Sequence, residues 1–213
     1  AMFTMSRVSE KFFFILTSVT QGSSYLSPYG YGVLHRMHHA FADTEKDPHS
    51  PKYDENVFSM MWRTKSTYQN INKKKIEVEE KFTKNVPQWF SFDAFASSYF
   101  SRIFWTTLYI LFFIKFATTW WLWLFLPVII LMAPIHGVII NWYAHIYGYV
   151  TFKGKDTSKN LLPFDFLMMG EAYHNNHHKH GSKANFGVKW HEIDPTYQIM
   201  KVLNKLQLIK IKS

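Results

Sequence analysis

Twenty-one consecutive residues from Trp120 to Ile140, WWLWLFLPVIILMAPIHGVII, contain no lysine, arginine, aspartate or glutamate. No other feature restricts the fold as much, because about twenty uncharged apolar residues are enough to cross a bilayer as a helix. Pro127 and Pro134 would interrupt a water-exposed helix, whereas in a membrane neighbouring helices re-satisfy the freed backbone groups. Upstream, Ile103 to Phe116 (IFWTTLYILFFIKF) is a second apolar run interrupted only by Lys115, and it extends back through Phe92, Phe95, Tyr99 and Phe100. Thr118 and Thr119 separate the two runs. The simplest arrangement is a transmembrane helical hairpin over residues 96–143, with arms at 96–117 and 119–143. The alternative is a pair of helices buried in a soluble protein.

Lysines flank both ends of this hairpin: Lys73, Lys74, Lys75, Lys81 and Lys84 before it, and Lys153, Lys155, Lys159, Lys179 and Lys183 after it. A hairpin returns both flanks to one face, and the positive-inside rule makes that face cytoplasmic. The net charge of +9, from 24 lysines and arginines against 15 acidic residues, fits either a nucleic-acid partner or a membrane surface. The apolar runs favour the lipid bilayer, and no nucleic-acid partner is expected. The expected fold is an all-α, multi-pass integral membrane protein with a cytosolic helical cap, forming a single domain over 1–213. Residues 12–19 (FFFILTSV) are too short to span and read as a buried or interfacial helix. Residues 56–90 read as interfacial helices or solvated loop, and 195–213 as an amphipathic helix carrying Ile199, Val202, Leu203, Leu206 and Ile209. The chain opens Ala1-Met2-Phe3, without an initiator methionine at position 1, and is expected to be truncated at its start.

Two histidine triplets of identical spacing lie far apart, HRMHH at 35–39 and HNNHH at 174–178. Positions i, i+3 and i+4 share one face of a helix, so His35, His38 and His39 can converge, as can His174, His177 and His178. The chain has no cysteine, which excludes disulfide scaffolds and thiolate metal sites. Imidazole suits zinc, copper, iron and nickel, and six such ligands exceed what one zinc takes, pointing to two metal ions. Asn141 and His145, in NWYAH, share a face at the mouth of the second apolar run. A polar pair there is costly unless satisfied or functional.

These motifs resemble the integral-membrane fatty acid desaturases, specifically the stearoyl-CoA desaturase type. That family has an HRxHH box followed by an acidic stretch ending in DPH, here HRMHHAFADTEKDPH at 35–49. It then has a hairpin ending in NxxxH, here Asn141 and His145, and a G-E-x-x-HNxHH box, here GEAYHNNHH at 170–178, with a counterpart to its later WH in Trp190-His191. The resemblance implies O2-dependent desaturation of a saturated acyl chain, as acyl-CoA or acyl-lipid, to a cis-monounsaturated product at a di-iron centre. It implies His35, His38, His39, His145, His174, His177 and His178 as iron ligands, with Asn141 acting through a water. It also implies a separate electron donor, such as ferredoxin, rubredoxin or cytochrome b5 with its reductase. The family holds its irons with nine histidines and this chain offers seven. The missing pair belongs to an HxxxxH box expected upstream, without which the fragment is expected to bind iron incompletely and to be inactive.

The chemistry fits such a site. An unactivated methylene has no acidic proton and no leaving group, so a metal–oxygen oxidant must be supplied while the fold positions the chain. A single ExxH, Glu171 to His174, is too little for the soluble di-iron carboxylate class, which needs two such pairs and further glutamates. Glu171 and Asp47 are instead expected to orient ligand imidazoles. His49 is expected to be structural, His136 a satisfied membrane-helix histidine, and His180 and His191 surface residues. Competing functions are a related membrane di-iron fatty acid, alkane or carotenoid hydroxylase, and a non-catalytic membrane metal-binding protein.

Overall fold

A computed structural model describes residues 2–212. A two-residue strand, β1 (Phe3–Thr4), precedes helix α1 (Arg7–Gln21), which the Ser6 hydroxyl caps by accepting from the Ser9 amide. The apolar segment at 12–19 thus lies inside a longer helix. Only Phe14 of that helix is buried, while Val8, Phe12, Ile15, Leu16 and Val19 are exposed. Gly22 ends α1 at φ 51°, a conformation that favours glycine, and the Tyr109 hydroxyl approaches so closely that a Cβ there would collide with it. One short turn, Gly22–Ser24, leads into α2 (Pro28–Phe41). Asn56 caps α3 (Val57–Asn72) through a capping box with Ser59. The short α4 (Glu80–Thr83) and α5 (Phe90–Ala96) follow. Residues 56–90 are therefore largely helical, and α2, α3 and α4 enclose a core of Tyr29, Val33, Leu34, Ile71, Phe82 and Val86.

The first apolar run forms one uninterrupted helix, α6 (Tyr99–Phe116). The second does not form the single arm expected at 119–143. It runs as a tight turn at Trp120–Leu124, then α7 (Phe125–Ile130), α8 (Met132–Val138), a wide i→i+5 turn at Ile139–Tyr143, and α9 (Ala144–Ile146). No single helix among the described residues is long and apolar enough to cross a membrane, but Trp120–Ile130 and Met132–Ile146 together are, with a 74° bend between them.

The cause of the bend is local. Pro134 has no amide hydrogen for the Ile130 carbonyl, so the i→i−4 ladder fails there. The hydroxyls of Ser23 and Ser24 donate to that carbonyl at 3.3 and 3.0 Å, and Ser24 Oγ accepts from the Ala133 amide at 3.3 Å. Two serines from the turn after α1 thus satisfy the broken ladder. The same turn is tied to α5 and α6. Tyr25 and Ser27 donate to the buried Asp93 carboxylate, and Arg102 donates to the Ser23 carbonyl at 2.7 Å.

Beyond α9 the chain is mostly irregular until α10 (His174–Lys179) and α11 (Pro195–Lys205), the latter capped by Asp194. The expected amphipathic tail is helical only to Lys205; Ile209 beyond it is buried, while Ile199, Val202 and Leu206 are exposed. The chain closes in β2 (Lys210–Ile211), which pairs antiparallel with β1, Phe3 opposite Ile211. This small two-stranded element and an isolated antiparallel bridge between Tyr149 and Asn160 depart from an all-helical fold.

Candidate metal centre

Helix α2 begins at Pro28, a residue suited to the first helical position, and the Ser27 hydroxyl accepts from the Gly30 amide. The helix so begun carries His35, His38 and His39 beside the histidines of α10. Helix α10 supplies His174, His177 and His178, and α9 supplies His145.

The seven imidazoles sort into two groups that cut across the sequence triplets. His38, His145, His174 and His178 form one, and His35, His39 and His177 the other; in each, the potential ligand atoms lie within 4.8 Å of one another. In the first group the Nε2 atoms of His38 and His178 are 3.1 Å apart, and those of His145 and His174 are 3.0 Å apart. In the second, the three Nε2 atoms are separated by 3.0, 3.1 and 2.8 Å.

A neutral imidazole has one N–H, directed along a single line in the ring plane. Three Nε2 atoms facing a common point cannot all donate to one another. Ligands about 2.1 Å from a shared ion, at right angles to each other, would lie about 3.0 Å apart. The separations therefore match the edges of a coordination shell, and both groups are suited to holding a metal ion.

The electrostatics agree with this. Burial, then the neighbouring His178, lowers His35 to about 4, and burial, then His35, lowers His39 to about 2. Burial, reinforced by adjacent imidazoles, holds His38, His174 and His177 well below the ordinary histidine range. At neutral pH these rings carry lone pairs, the form a metal requires.

A second layer fixes ring orientation. The fully buried Asp47 accepts from His38 Nδ1 at 2.9 Å and from the His49 amide at 3.0 Å on Oδ1, and from the Asp43 amide at 2.9 Å on Oδ2. With His38 neutral, this places its proton on Nδ1 and leaves Nε2 free to face the cluster. Thr157 Oγ1 lies 3.1 Å from His145 Nδ1, and an Asp156 carboxylate oxygen lies 3.5 Å from His178 Nδ1. Asn175 holds the loop bearing these two residues: its side chain accepts from the amides of Thr151 and Phe152 and donates to the carbonyls of Phe152 and Ser158. Asn176 bridges Asn160, the Phe186 carbonyl and Glu192.

Sequence reasoning passed over Asp156, Thr157, Asn175 and Asn176. Only the two asparagines had a signal, since amides inserted between histidines of a buried helix must find internal partners.

Two expectations need correction. Glu171 makes no side-chain hydrogen bond with an imidazole among the described residues, because it lies in the turn before α10 rather than on its first turn. The i, i+3 argument therefore does not apply. Burial, with the carboxylates of Asp194 and Asp165, raises Glu171 to about 7. His136 Nε2 is buried without a partner among the described residues, so it is not satisfied as expected. His49, expected to be structural, is fully buried, its ring lies over His38 with centroids 4.2 Å apart, neither of its nitrogens has a described partner, and it groups with His38 and Asp47. Asn141 lies in the wide turn one turn before His145, half-buried, with no described side-chain hydrogen bond. Such turns recur at functional sites.

Comparison with known proteins returns a family model described as fatty acid desaturase, matching residues 2–208. Delta-9 desaturase-like 5 protein of Arabidopsis thaliana is 32% identical over 183 residues, covering 82% of this chain and 56% of that protein. Delta-9 acyl-lipid desaturase 1 of the same plant is 32% identical over 179 residues, covering 82% and 55%. The sn-1 stearoyl-lipid 9-desaturase of Synechocystis sp. is 32% identical over 184 residues, covering 83% and 53%. The chain spans about half the length of these relatives. No solved structure matches it.

Proposed function

The chain belongs to the fatty acid desaturase family, and from that premise we propose that it performs O2-dependent desaturation of a saturated fatty acyl chain to a cis-monounsaturated product. The observation that carries this reading is the sorting of seven imidazoles, buried or half-buried, into two adjacent groups with ligand-like Nε2 spacing. His38, His145, His174 and His178 would hold one iron. His35, His39 and His177 would hold the other, with Asn141 completing a shell through water. When bound, the pair supplies the O2-dependent redox chemistry that an unactivated methylene demands. The names of the relatives favour the ninth carbon and a lipid-linked acyl group.

The chain's own residues prepare the site. Asp47, Thr157 and Asp156 present the rings of His38, His145 and His178 with their free nitrogens inward. Burial excludes water and keeps protons off the ligands. The group of three offers one ligand fewer than the group of four. The bent apolar pair and the exposed apolar residues of α1, α6 and α7 support a multi-pass membrane protein, with the lysine-flanked metal centre on the cytoplasmic side.

The test is iron content by elemental analysis, together with lipid profiling of a host expressing the full-length protein. Two irons per chain and a new cis-monoene are expected. A hydroxylated product without an olefin, or zinc with no O2-dependent chemistry, would reject desaturation.

A further inference from the structure

An open cavity of about 460 Å³ is lined by Phe152, Lys153, Gly154, Lys155, Asp156, Ser158, Asn175, His178 and Lys179. Its position distinguishes it from other charged surface. It contains a candidate metal ligand, His178, whose side chain is only 2% exposed, and the carboxylate that faces His178 Nδ1, Asp156, which is 21% exposed. From the solvent, the first protein groups met on the way to the metal centre here are therefore Asp156 and His178. Lys153 and Lys155 approach from the loop and Lys179 from α10, one residue beyond His178. All three are exposed, and none forms a salt bridge among the described residues.

The proposed reaction needs a partner at such a place. Removing two hydrogens from an acyl chain yields two electrons and two protons, whereas reducing O2 to two waters consumes four of each. Two electrons and two protons must come from outside. The chain has no cysteine with which to bind an iron–sulfur cluster of its own.

Resting on the desaturase reading, we propose that the rim formed by Lys153, Lys155 and Lys179 is the docking surface for a one-electron carrier protein with an acidic face. Each docking delivers one electron through Asp156 and His178 and leaves the carrier oxidised; two dockings complete one turnover. Exposed cations around a recessed ligand steer an acidic partner to a point where a candidate ligand, His178, lines the surface cavity. An acyl headgroup fits less well. The lining holds one apolar side chain, Phe152, and Ser158, Asn175 and Asp156 close its floor with polar groups, so no greasy passage leads inward for the attached chain.

The experiment uses the full-length iron-loaded protein in phosphatidylcholine nanodiscs and the variant K153E/K155E/K179E. Stopped-flow oxidation of reduced cytochrome b5 and reduced ferredoxin is followed beside reduction by methyl viologen, a small cation needing no docking surface. The variant should accept electrons from at least one of the two proteins at least about tenfold more slowly, within the range of rate gains that steering provides. It should keep its iron content and its rate with methyl viologen. Raising salt from about 0.02 M to about 0.3 M should slow the unmodified protein and leave the variant nearly unaffected. Donor oxidation at an unchanged rate with both proteins overturns the proposal. An unchanged donor rate with a raised KM for the acyl substrate overturns it in favour of a headgroup site. If the unmodified protein holds no iron and desaturates with neither electron source, the functional reading fails first, and the proposal fails with it.

Discussion

Replacing Asp47 by asparagine isolates what its carboxylate does for the metal centre, because shape and volume are nearly kept. Three donors face two carboxylate oxygens: His38 Nδ1 and the His49 amide on Oδ1, and the Asp43 amide on Oδ2. Asparagine offers one acceptor and one NH2, so either orientation loses something. With its oxygen towards His38, the NH2 meets the Asp43 amide head-on, leaving a buried donor unsatisfied at about 1–3 kcal/mol. His38 then also leans on a neutral amide in place of a charge. With its oxygen towards Asp43, the NH2 faces His38 Nδ1, which must become the acceptor. The His38 proton moves to Nε2, where it points at His178 and removes His38 from the ligand set. Loss of such orienting partners commonly weakens metal binding 10–100-fold, equivalent to about 1.4–2.8 kcal/mol. Iron affinity by chelator competition should drop in that range for Asp47→Asn. Thermal unfolding of the metal-free form should report a smaller stability, by about 1–3 kcal/mol. A variant that binds iron as tightly as the unmodified protein would refute the claim that Asp47 sets the His38 tautomer.

Other outcomes follow from the same structure. His35 and His39 lie at about 4 and about 2 when folded, against 6.5 ordinarily, so the unfolded chain takes up protons first as pH falls. Stability of the metal-free protein should therefore decline from pH 6.5 towards 4, by up to about 1.4 kcal/mol per pH unit for each such histidine, with the raised Glu171 offsetting about one of them between 7 and 4.5. A denaturant titration that is level over that window would contradict the burial argument. The double variant Ser23→Ala/Ser24→Ala strips the Ile130 carbonyl and Ala133 amide of their partners at the bend. It should cost about 2–4 kcal/mol, read by thermal unfolding in detergent. Asn175→Ala removes the hydrogen bonds that hold the 151–158 loop on α10. It should lower stability by about 2–4 kcal/mol and weaken iron retention, since Asp156 and Thr157 lose their placement; unchanged retention would separate that loop from the metal centre.

The residues that make the site are legible along the chain because they are periodic or paired. Two i, i+3, i+4 histidine triplets, an Asn141–His145 pair and a charge-free run need only helix geometry and transfer energetics to stand out. Local chemistry also foretells where α2 starts, since Ser27 and Pro28 carry the cap and the first helical position whatever surrounds them.

What no local pattern contains is the grouping. The triplets read as two sets, yet His38 joins His174, His178 and His145, while His177 joins His35 and His39. Rings on one helix face diverge over a turn, and which neighbour each meets depends on how α2, α9 and α10 cross. The second layer is equally tertiary, because Asp156 and Thr157 sit on an aperiodic loop that the Asn175 hydrogen bonds, and a bond from the Thr157 amide to Asp43, bring to the imidazoles. The bend shows both contributions: Pro134 marks where the helix must fail, but only packing brings two serines more than a hundred positions earlier to the carbonyl it abandons. Sequence thus determines which groups can bind metal and roughly which elements carry them. The three-dimensional fold decides which of them face the same ion, because convergence depends on distance and direction between elements that the chain order leaves open.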